Sequence, residues 1–411
     1  MERLVSLLGL GVFVACAYLL SVNRRGVRWK PVLWGMALQL ILALLILRTP
    51  LGLIVFRWLG DLVTQFLDYT DAGASFVFGQ NFKDFFFAFK VLPTVIFFSA
   101  FVSLLYHYNI LQRVVQVVAW LMMRTMGTSG AESLSAAANI FVGQTEAPLV
   151  IKPYIGKLTM SELHAVMTGG FATVAGGVLA AFISFGVPAE HLIAASVMSA
   201  PAGLAVSKLM YPETERGTDA SVDFTQSRAT NAIDAITRGA LDGLRLALNI
   251  GAMIIAFIAL LAAANGLVGW LGNLVGLSNL SLELILAYLL APIAWLMGVP
   301  WADCGQIGVL LGKKTILNEF IAYLDLQQLI EGSSVFPGQE ETSVTVSERA
   351  IVIATYALCG FANVGSIGIQ IGGLGGIAPG RQSDLAQIGV RAMIGGTLAC
   401  FMTAAIAGLL L

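Results

Sequence analysis

Three consecutive polar residues, Gln144, Thr145 and Glu146, lie in the segment FVGQTEAPLV at 141–150, inside a chain that is otherwise mostly apolar. They place an amide, a hydroxyl and a carboxyl group side by side. An ionisable group at the centre of a membrane-spanning helix costs roughly 2.5–3.5 kcal/mol on insertion scales. If the segment lies in a membrane, we therefore expect these groups to face an internal cavity, where their varied hydrogen-bonding character suits a neutral polar ligand.

The backbone around these residues is predicted to form a re-entrant hairpin over 130–157, which enters and leaves the membrane on the same side. Pro148 suits the first turn of the second arm, and Thr145 is a candidate N-cap for that arm. The alternatives to a ligand-binding role are that Glu146 is a structural carboxylate paired with Lys152 or a neighbouring helix, and that Gln144 and Thr145 only cap the turn.

The C-terminal half carries a second set of such groups, namely Asn318, Glu319, Phe361, Asn363 and Ser366. The segment GVPWADCGQ at 298–306 is predicted to open a second hairpin that turns near the first two of them. The nearest cations, Lys313 and Lys314, lie about one helical turn earlier, whereas a site for phosphate or carboxylate is expected to hold a cation within reach. The set therefore favours an uncharged, hydroxyl-rich solute with a flat ring that stacks on Phe361, although core packing alone could explain this ring.

A cation site is predicted where two segments have irregular backbone. Asn139 and Val142 precede the turn of the first hairpin, and Thr173 and Val174 interrupt a Gly-rich apolar stretch. Freed backbone carbonyls, the Asn139 amide and the Thr173 hydroxyl form an all-oxygen set, which suits a hard alkali cation. Alternatively, both side chains only satisfy the backbone of a broken helix.

The composition indicates a membrane protein, since 57% of the 411 residues are hydrophobic and 11% are charged, against roughly 25% charged residues in soluble domains. A membrane-spanning helix needs about 20 residues. Long apolar runs lie at 4–20, 31–47, 91–105, 165–183, 192–209, 246–268, 284–297, 351–371 and 388–411. They lack the short alternating segments of a transmembrane β-barrel, so we predict an all-α polytopic membrane protein.

The charges in the loops predict its orientation. The basic segment NRRGVRWK at 23–30 follows the first apolar run directly, which indicates an uncleaved span rather than a signal peptide. The loops at 186–189 and 272–281 carry no Lys or Arg. The positive-inside rule then places the basic segment in the cytoplasm and both termini outside, in the periplasm.

Other chemistry is not indicated by the sequence. The four cysteines lie in apolar segments without a CxxC partner, which predicts neither a disulfide nor a metal site. No basic patch is interleaved with aromatic residues, so a nucleic-acid partner is not indicated. The three histidines form no HExxH pattern and no GxSxG elbow occurs, so an intramembrane enzyme is disfavoured.

An internal repeat relates the Gly-rich segments GFATVAGGV at 170–178 and GFANVGSIG at 360–368. Each follows a polar segment that bears a carboxylate, and the loop charges place the two copies in opposite orientations. An inverted repeat with paired interrupted helices points to a transporter binding site near the membrane midplane. We therefore predict eight transmembrane helices, two re-entrant hairpins and three interfacial helices, at 56–70, 112–126 and 231–244. In the alternative interpretation, these three helices are ordinary amphipathic linkers in the cytoplasm.

Five segments resemble the concentrative nucleoside transporters: GQTEAPLVIKPY, ELHAVMTGGFATVAGG, SVMSAPAGLAVSKLMYPETE, NEFIAY and CGFANVGSIGIQIGGLG. The resemblance covers the chain from about Ala72 onward. It implies a homotrimer whose protomers each hold a scaffold, built on spans three and six, and a transport domain that moves against it. The short N-terminus and the eight spans are similar to those of the bacterial members, which implies the inner membrane.

The resemblance also implies roles for matching residues in this chain. The substrate-binding residues would be Gln144, Thr145, Glu146 and Phe361 at the nucleobase, Glu319, Asn363 and Ser366 at the ribose hydroxyls, and Val178. The residues that bind the co-transported sodium ion would be Asn139, Val142, Thr173 and Val174. Thr173 stands where Ser is common in the family, and it keeps the hydroxyl.

The predicted function is a sodium-coupled symporter that imports nucleosides, either uridine-like pyrimidines or purines, by alternating access. Proton-coupled relatives lack the cation set, but a proton-coupled symporter with Glu146 as proton carrier is the main alternative. A passive channel is a further alternative, which a lack of cation-dependent accumulation would favour.

Five units follow in chain order: 1–50 with two N-terminal transmembrane helices, 51–128 with interfacial helices and scaffold span three, 129–210 with the first repeat, 211–272 with a cytoplasmic linker, an interfacial helix and scaffold span six, and 273–411 with the second repeat. Each repeat is predicted to contain one hairpin and two spans.

Overall fold

The computed structural model describes residues 1–215, 217, 229–274, 276–277, 280–336 and 343–411. Within these ranges the regular structure is helical, apart from an isolated bridge between Ser333 and Ser343, so the predicted all-α class is confirmed. The α-helices in chain order are α1 (Glu2–Leu19), α2 (Trp29–Arg48), α3 (Pro50–Asp68), α4 (Thr70–Phe78), α5 (Leu92–His107), α6 (Ile110–Met126), α7 (Gly130–Ala138), α8 (Met160–Ala172), α9 (Gly176–Ser184), α10 (Ala189–Met210), α11 (Ala232–Leu274), α12 (Leu282–Leu296), α13 (Cys304–Ile316), α14 (Glu319–Ile330), α15 (Glu348–Leu358), α16 (Val364–Ile377) and α17 (Gln382–Leu410).

Eight helical stretches in the described part of the chain are long and apolar enough to cross a membrane: Glu2–Leu19, Trp29–Arg48, Pro50–Phe78, Phe87–His107, Met160–Ser184, Ala189–Met210, Ala232–Leu274 and Pro379–Leu410. The number equals the prediction, but the set differs. Pro50–Phe78 belongs to it, although much of this stretch is predicted to lie in the interface. The apolar run 351–371 does not, because its backbone breaks after α15 and neither α15 nor α16 is long enough to span alone.

The spanning stretches differ sharply in burial. In Met160–Ser184, 94% of an 18-residue apolar segment is buried inside the protein. In α11, 11% of the corresponding segment is buried. The first interrupted helix therefore lies at the centre of the molecule, and α11 lies at its periphery with most of its apolar surface uncovered.

The helix α11 runs without a break over 43 residues, which is about 65 Å at 1.5 Å per residue. The interfacial helix predicted at 231–244 is thus not a separate element but the first part of α11. Gly239 and Gly243, one turn apart, let this part approach α5 closely: a Cβ atom on Gly239 would lie 2.5 Å from Ser103 Cβ, and one on Gly243 would lie 2.7 Å from Ile96 Cα. Small residues at this spacing are typical of packed membrane helices.

The two interrupted helices of the repeat meet at their breaks. The first breaks between α8 and α9, and the second breaks between α15 and α16. The backbone N–H of Phe361 donates to the Thr173 carbonyl at 3.1 Å, which joins one break to the other. The Cys400 thiol of α17 contacts the freed carbonyls on both sides, at 3.2 Å from Cys359 and 3.7 Å from Ala172.

The two predicted hairpin segments are helix–break–helix units. In the first, α7 is followed by irregular backbone and a short 3₁₀ helix over Ala147–Ile151. The prediction that Thr145 caps the second arm is wrong, because Glu146 holds the N-cap position and its carboxylate instead accepts from the Gly143 N–H at 3.0 Å. In the second, Asn318 separates α13 from α14 and caps α14 by accepting from the Ile321 N–H at 2.9 Å. The re-entrant path of both segments through the membrane stays a prediction.

Candidate functional site

A chain of hydrogen bonds joins the two hairpin segments through the first turn of α16. Gln144 Nε2 donates to Ser366 Oγ at 3.2 Å, and the Ser366 N–H donates to Asn363 Oδ1 at 2.8 Å. Asn363 Nδ2 in turn donates to Glu319 Oε2 at 2.8 Å. Four predicted site residues from distant parts of the sequence are thus brought into one network, and all four are buried.

Helix capping explains the positions of the second-half members. Asn363 is the N-cap of α16, so its side chain lies at the start of the second half of an interrupted helix. Glu319 is the first residue of α14, directly after the cap Asn318. A carboxylate at a helix N-terminus is stabilised by the unpaired N–H groups and the helix dipole there. Two helix starts therefore point their polar ends at the same place.

Four other predicted substrate residues lie outside this network. Thr145 is half-buried and packs on α16, since a Cβ atom on Gly373 would lie 2.9 Å from Thr145 Cγ2. Phe361 is half-buried at the second break, and Val178 is 2% exposed within α9. Glu146 is exposed to a cavity on the other side of the turn.

The cavity has a volume of about 480 Å³ and lies between the first hairpin segment and the pair α5 and α11. Its polar lining residues are Ser99, Ser103, Tyr106, Glu146, Lys152 and Asp242. Glu146 and Lys152 share the cavity, but within the described residues they form no ion pair. The cavity is large enough for a small organic ligand.

The predicted cation residues lie around the break of the first interrupted helix. Asn139 is fully buried, and its Oδ1 has no hydrogen-bond partner in the described structure. The Thr173 hydroxyl donates to the Gly169 carbonyl at 2.9 Å, which leaves its lone pairs free. Within the described ranges, the Val142 and Val174 carbonyls accept no hydrogen bond either. Buried oxygens without donors fit a cation that prefers oxygen ligands.

The two lysines nearest to the network are bound elsewhere. Lys313 forms ion pairs with Asp325 at 2.8 Å and Glu283 at 3.7 Å. Lys314 is 1% exposed and donates to the Ala357 carbonyl at 2.8 Å. The charge of Lys313 is thus balanced by two carboxylates, whereas Lys314 uses one of its three N–H donors on a backbone carbonyl.

One residue of the network is missing from the sequence-based prediction. Gln370 of α16 is buried, and its Nε2 donates to Gln144 Oε1 at 2.9 Å. An isolated amide one turn after Ser366 in the apolar run SIGIQIGG is the signal that could have revealed it.

The fold and this site define a class, namely helical membrane transporters with interrupted helices that meet at a central site. Three family models match the chain: Na⁺ dependent nucleoside transporter C-terminus over residues 191–408, Na⁺ dependent nucleoside transporter N-terminus over 8–81, and Gate, nucleoside recognition, over 88–189. The chain therefore belongs to the Na⁺ dependent nucleoside transporter family, which confirms the resemblance.

Individual relatives agree with this assignment. Human solute carrier family 28 member 3 is 50% identical to the chain over 416 residues, and rat sodium/nucleoside cotransporter 1 is 48% identical. Both matches cover the whole chain, but 60% and 64% of the relatives, so the chain spans about three fifths of their length. The structure of CNTnw in an inward-facing substrate-bound state is 41% identical, with a TM-score of 0.92 and coverage of 100% of this chain and 98% of that one. An outward-facing variant of CNTnw gives a TM-score of 0.93 at the same identity and coverage.

Proposed function

We propose that the protein is a sodium-coupled symporter that imports nucleosides. The observation that carries this proposal is the buried hydrogen-bond chain from Gln144 through Ser366 and Asn363 to Glu319. It joins both halves of an inverted repeat at the place where two helices start, and it offers donors and acceptors to an uncharged ligand. Membership of the family supports the substrate class.

The ribose hydroxyls are assigned to Glu319, Asn363 and Ser366. The side chains of Glu319 and Ser366 each have one hydrogen-bond partner in the network and that of Asn363 has two, and the Glu319 carboxylate retains further acceptor capacity. A sugar hydroxyl can donate to this carboxylate while it accepts from the Asn363 amide. A ligand without this hydroxyl would leave the buried Glu319 carboxylate with an unused acceptor, which costs free energy. The site therefore discriminates against such ligands.

The nucleobase is assigned to the first hairpin segment, with Gln144, Thr145 and Glu146 at its edge and Phe361 against its face. The base would lie between the turn and the cavity of about 480 Å³, which Glu146 lines. Val178, buried in α9 behind this turn, would close the substrate site on the side of α9.

Sodium is assigned as co-transported substrate to Asn139, Val142, Thr173 and Val174. The support is the buried Asn139 Oδ1 without a donor, together with the free carbonyls at the break. One charge that moves through 100 mV supplies about 2.3 kcal/mol. A tenfold sodium gradient adds about 1.4 kcal/mol. Their sum could sustain a nucleoside gradient of several hundred-fold.

The larger assembly is also a proposal. We assign a homotrimer in the inner membrane, both termini periplasmic, and a transport domain that moves against a scaffold of α5 and α11. CNTnw has inward-facing and outward-facing structures, which supports alternating access for a relative of this chain.

Uptake of radiolabelled uridine into proteoliposomes tests the proposal. With sodium outside and either sodium or choline inside, at fixed pH, uridine should accumulate only when the sodium gradient points inward. Uridine that equilibrates without accumulating would indicate a passive facilitator, and no movement of either uridine or adenosine would reject the substrate class.

Glu319→Gln should abolish this uptake while the protein still assembles, because the amide has no charge and only one acceptor oxygen, which Asn363 and the ribose hydroxyls would have to share. Glu348→Gln is the matched control, since Glu348 is also a first-turn glutamate but is exposed at the start of α15. Normal uptake by Glu319→Gln would remove Glu319 from the ribose site.

A proton-coupled nucleoside symporter is the second candidate, and the separate position of Glu146 favours it. This carboxylate lines the cavity and forms no ion pair in the described structure, so it is free to carry a proton between the two sides. Accumulation that follows a pH gradient and ignores sodium would support this candidate and exclude the sodium assignment.

A further inference from the structure

Gln370 is held in one orientation by two hydrogen bonds. It lies on α16 one turn after Ser366, and its side chain is 1% exposed. Its Nε2 donates to Gln144 Oε1 at 2.9 Å and to the Met167 carbonyl of α8 at 3.1 Å. The amide cannot be turned over without the loss of both bonds, because an amide oxygen would then face two acceptors.

This orientation fixes the direction of the hydrogen-bond chain beyond it. Since Gln144 Oε1 accepts from Gln370, Gln144 must present its Nε2 to Ser366, and it donates to Ser366 Oγ at 3.2 Å. A hydroxyl that accepts in this way still has its own proton to donate. The chain thus runs from Gln370 through Gln144 to Ser366 and ends in a free O–H donor.

The helix α8 leaves room for the contact between the two glutamines. A Cβ atom on Gly170 would lie 2.9 Å from both Gln144 Cβ and Gln370 Nε2. Non-bonded atoms do not approach so closely, so a larger residue at this position would push the amides apart. Gln370 Oε1, by contrast, is buried without a partner in the described structure, so both hydrogen bonds of this amide are made by its Nε2 donor.

We propose that Gln370 is a positioning residue for substrate binding: it holds Gln144 so that the Ser366 hydroxyl donates to an acceptor oxygen of the nucleoside. The role rests on the proposed function, because Gln144 and Ser366 are assigned there to the nucleoside. Gln370 acts through Gln144 and does not touch the ligand.

A double-mutant cycle in the full chain tests this role. Gln370→Met keeps the length of the side chain and removes its donor, and the KM for uridine at saturating sodium should rise about tenfold with an unchanged maximal rate. In a Gln144→Met background the same substitution should change the KM by less than about twofold, because the residue through which Gln370 acts is gone. Calorimetric titration of the purified variants with uridine should show the same ratios in Kd.

Gln39→Met is the matched control. Gln39 is also a fully buried glutamine in a membrane helix, α2, where it contacts Thr403 of α17 at 3.5 Å and lies outside the network. This variant should leave the KM for uridine unchanged. Should Gln370→Met not assemble, Gln370→Asn retains an amide that is too short to reach Gln144, and it gives the same test.

An unchanged KM in Gln370→Met would overturn the positioning role, and so would an equal rise in both backgrounds, which would mean that Gln370 acts by packing alone. Failure of the unsubstituted protein to take up either uridine or adenosine is a distinct result, since it would overturn the proposed function and the positioning role with it.

Discussion

The two carboxylates of the candidate site are placed in different ways. Glu319 is held at the start of α14 and accepts from the Asn363 side chain, so it belongs to a fixed network. Within the described part of the chain, the Glu146 carboxylate accepts only from the Gly143 N–H, and it faces an open cavity. The fixed carboxylate suits recognition of a hydroxyl at one position, and the cavity-facing carboxylate suits a ligand or proton that comes and goes.

Thr173→Ala should weaken sodium dependence. The substitution removes the hydroxyl oxygen at the break. A cation that binds to Asn139 Oδ1 would therefore have one oxygen ligand fewer. We expect about a tenfold rise in the sodium concentration that gives half-maximal uridine uptake. Thr173→Ser keeps the hydroxyl and should behave like the unsubstituted protein. A sodium activation curve that is the same in all three proteins would exclude Thr173 from the cation site.

Residue types at the site could be predicted from the sequence, but their contacts could not. Polar residues in glycine-rich apolar runs indicate broken helices that line a cavity. Ionisable groups and unpaired backbone groups are too costly to be exposed to lipid. The bond between Gln144 and Ser366 joins residues 222 positions apart, and it depends on how two helices cross. Gln370 escaped prediction for the same reason, since its partner lies 226 positions away.

At the scale of the element, the crossing of the two breaks depends on close approach at Gly360. A Cβ atom there would lie 2.6 Å from Cys400 Sγ and 2.7 Å from the Phe171 carbonyl oxygen. The break of the second interrupted helix therefore fits against α8 and α17 only without a side chain.

Gly360→Ala should destabilise the protein by about 1–3 kcal/mol through this overpacking. Thermal unfolding in detergent should show a lower Tm, and uridine uptake should fall with it. Gly368→Ala, in the interior of α16, has no atom within 4 Å of the new Cβ and should leave the Tm equal or slightly higher. Equal Tm values for both variants would show that the crossing tolerates a side chain.

Element boundaries were predictable where a cap or glycine marks them and not elsewhere. The breaks after α8 and α15 coincide with the repeated GFA segments. The polar residues Asp234, Arg238 and Asp242 suggest a separate surface helix, yet α11 continues through them, because exposed charges at one end of a long helix do not interrupt its backbone. A separate surface helix and the first part of a long membrane helix differ in their packing against α5, which the sequence of this segment does not reveal.

On the scale of the whole molecule, the loop charges predict that the basic segment 23–30 faces the cytoplasm and that the acidic loop 325–348 faces the outside. In a Cys16→Ser background, Arg25→Cys should react with a membrane-impermeant maleimide only from the cytoplasmic side, and Glu331→Cys only from outside. Both positions are exposed, and the three remaining cysteines are buried, so labelling reports the introduced thiols. Labelling of both thiols from one side would contradict the orientation.

The bond between the Phe361 N–H and the Thr173 carbonyl has a consequence for how the two halves of the chain depend on each other. Neither half contains a complete site, because each supplies one break and one set of polar groups. The two halves expressed as separate polypeptides, divided between α10 and α11, would each be inert, and binding would return only when they meet. A change at either break must therefore be tolerated by the opposite half, so the duplicated halves are constrained to evolve as a pair.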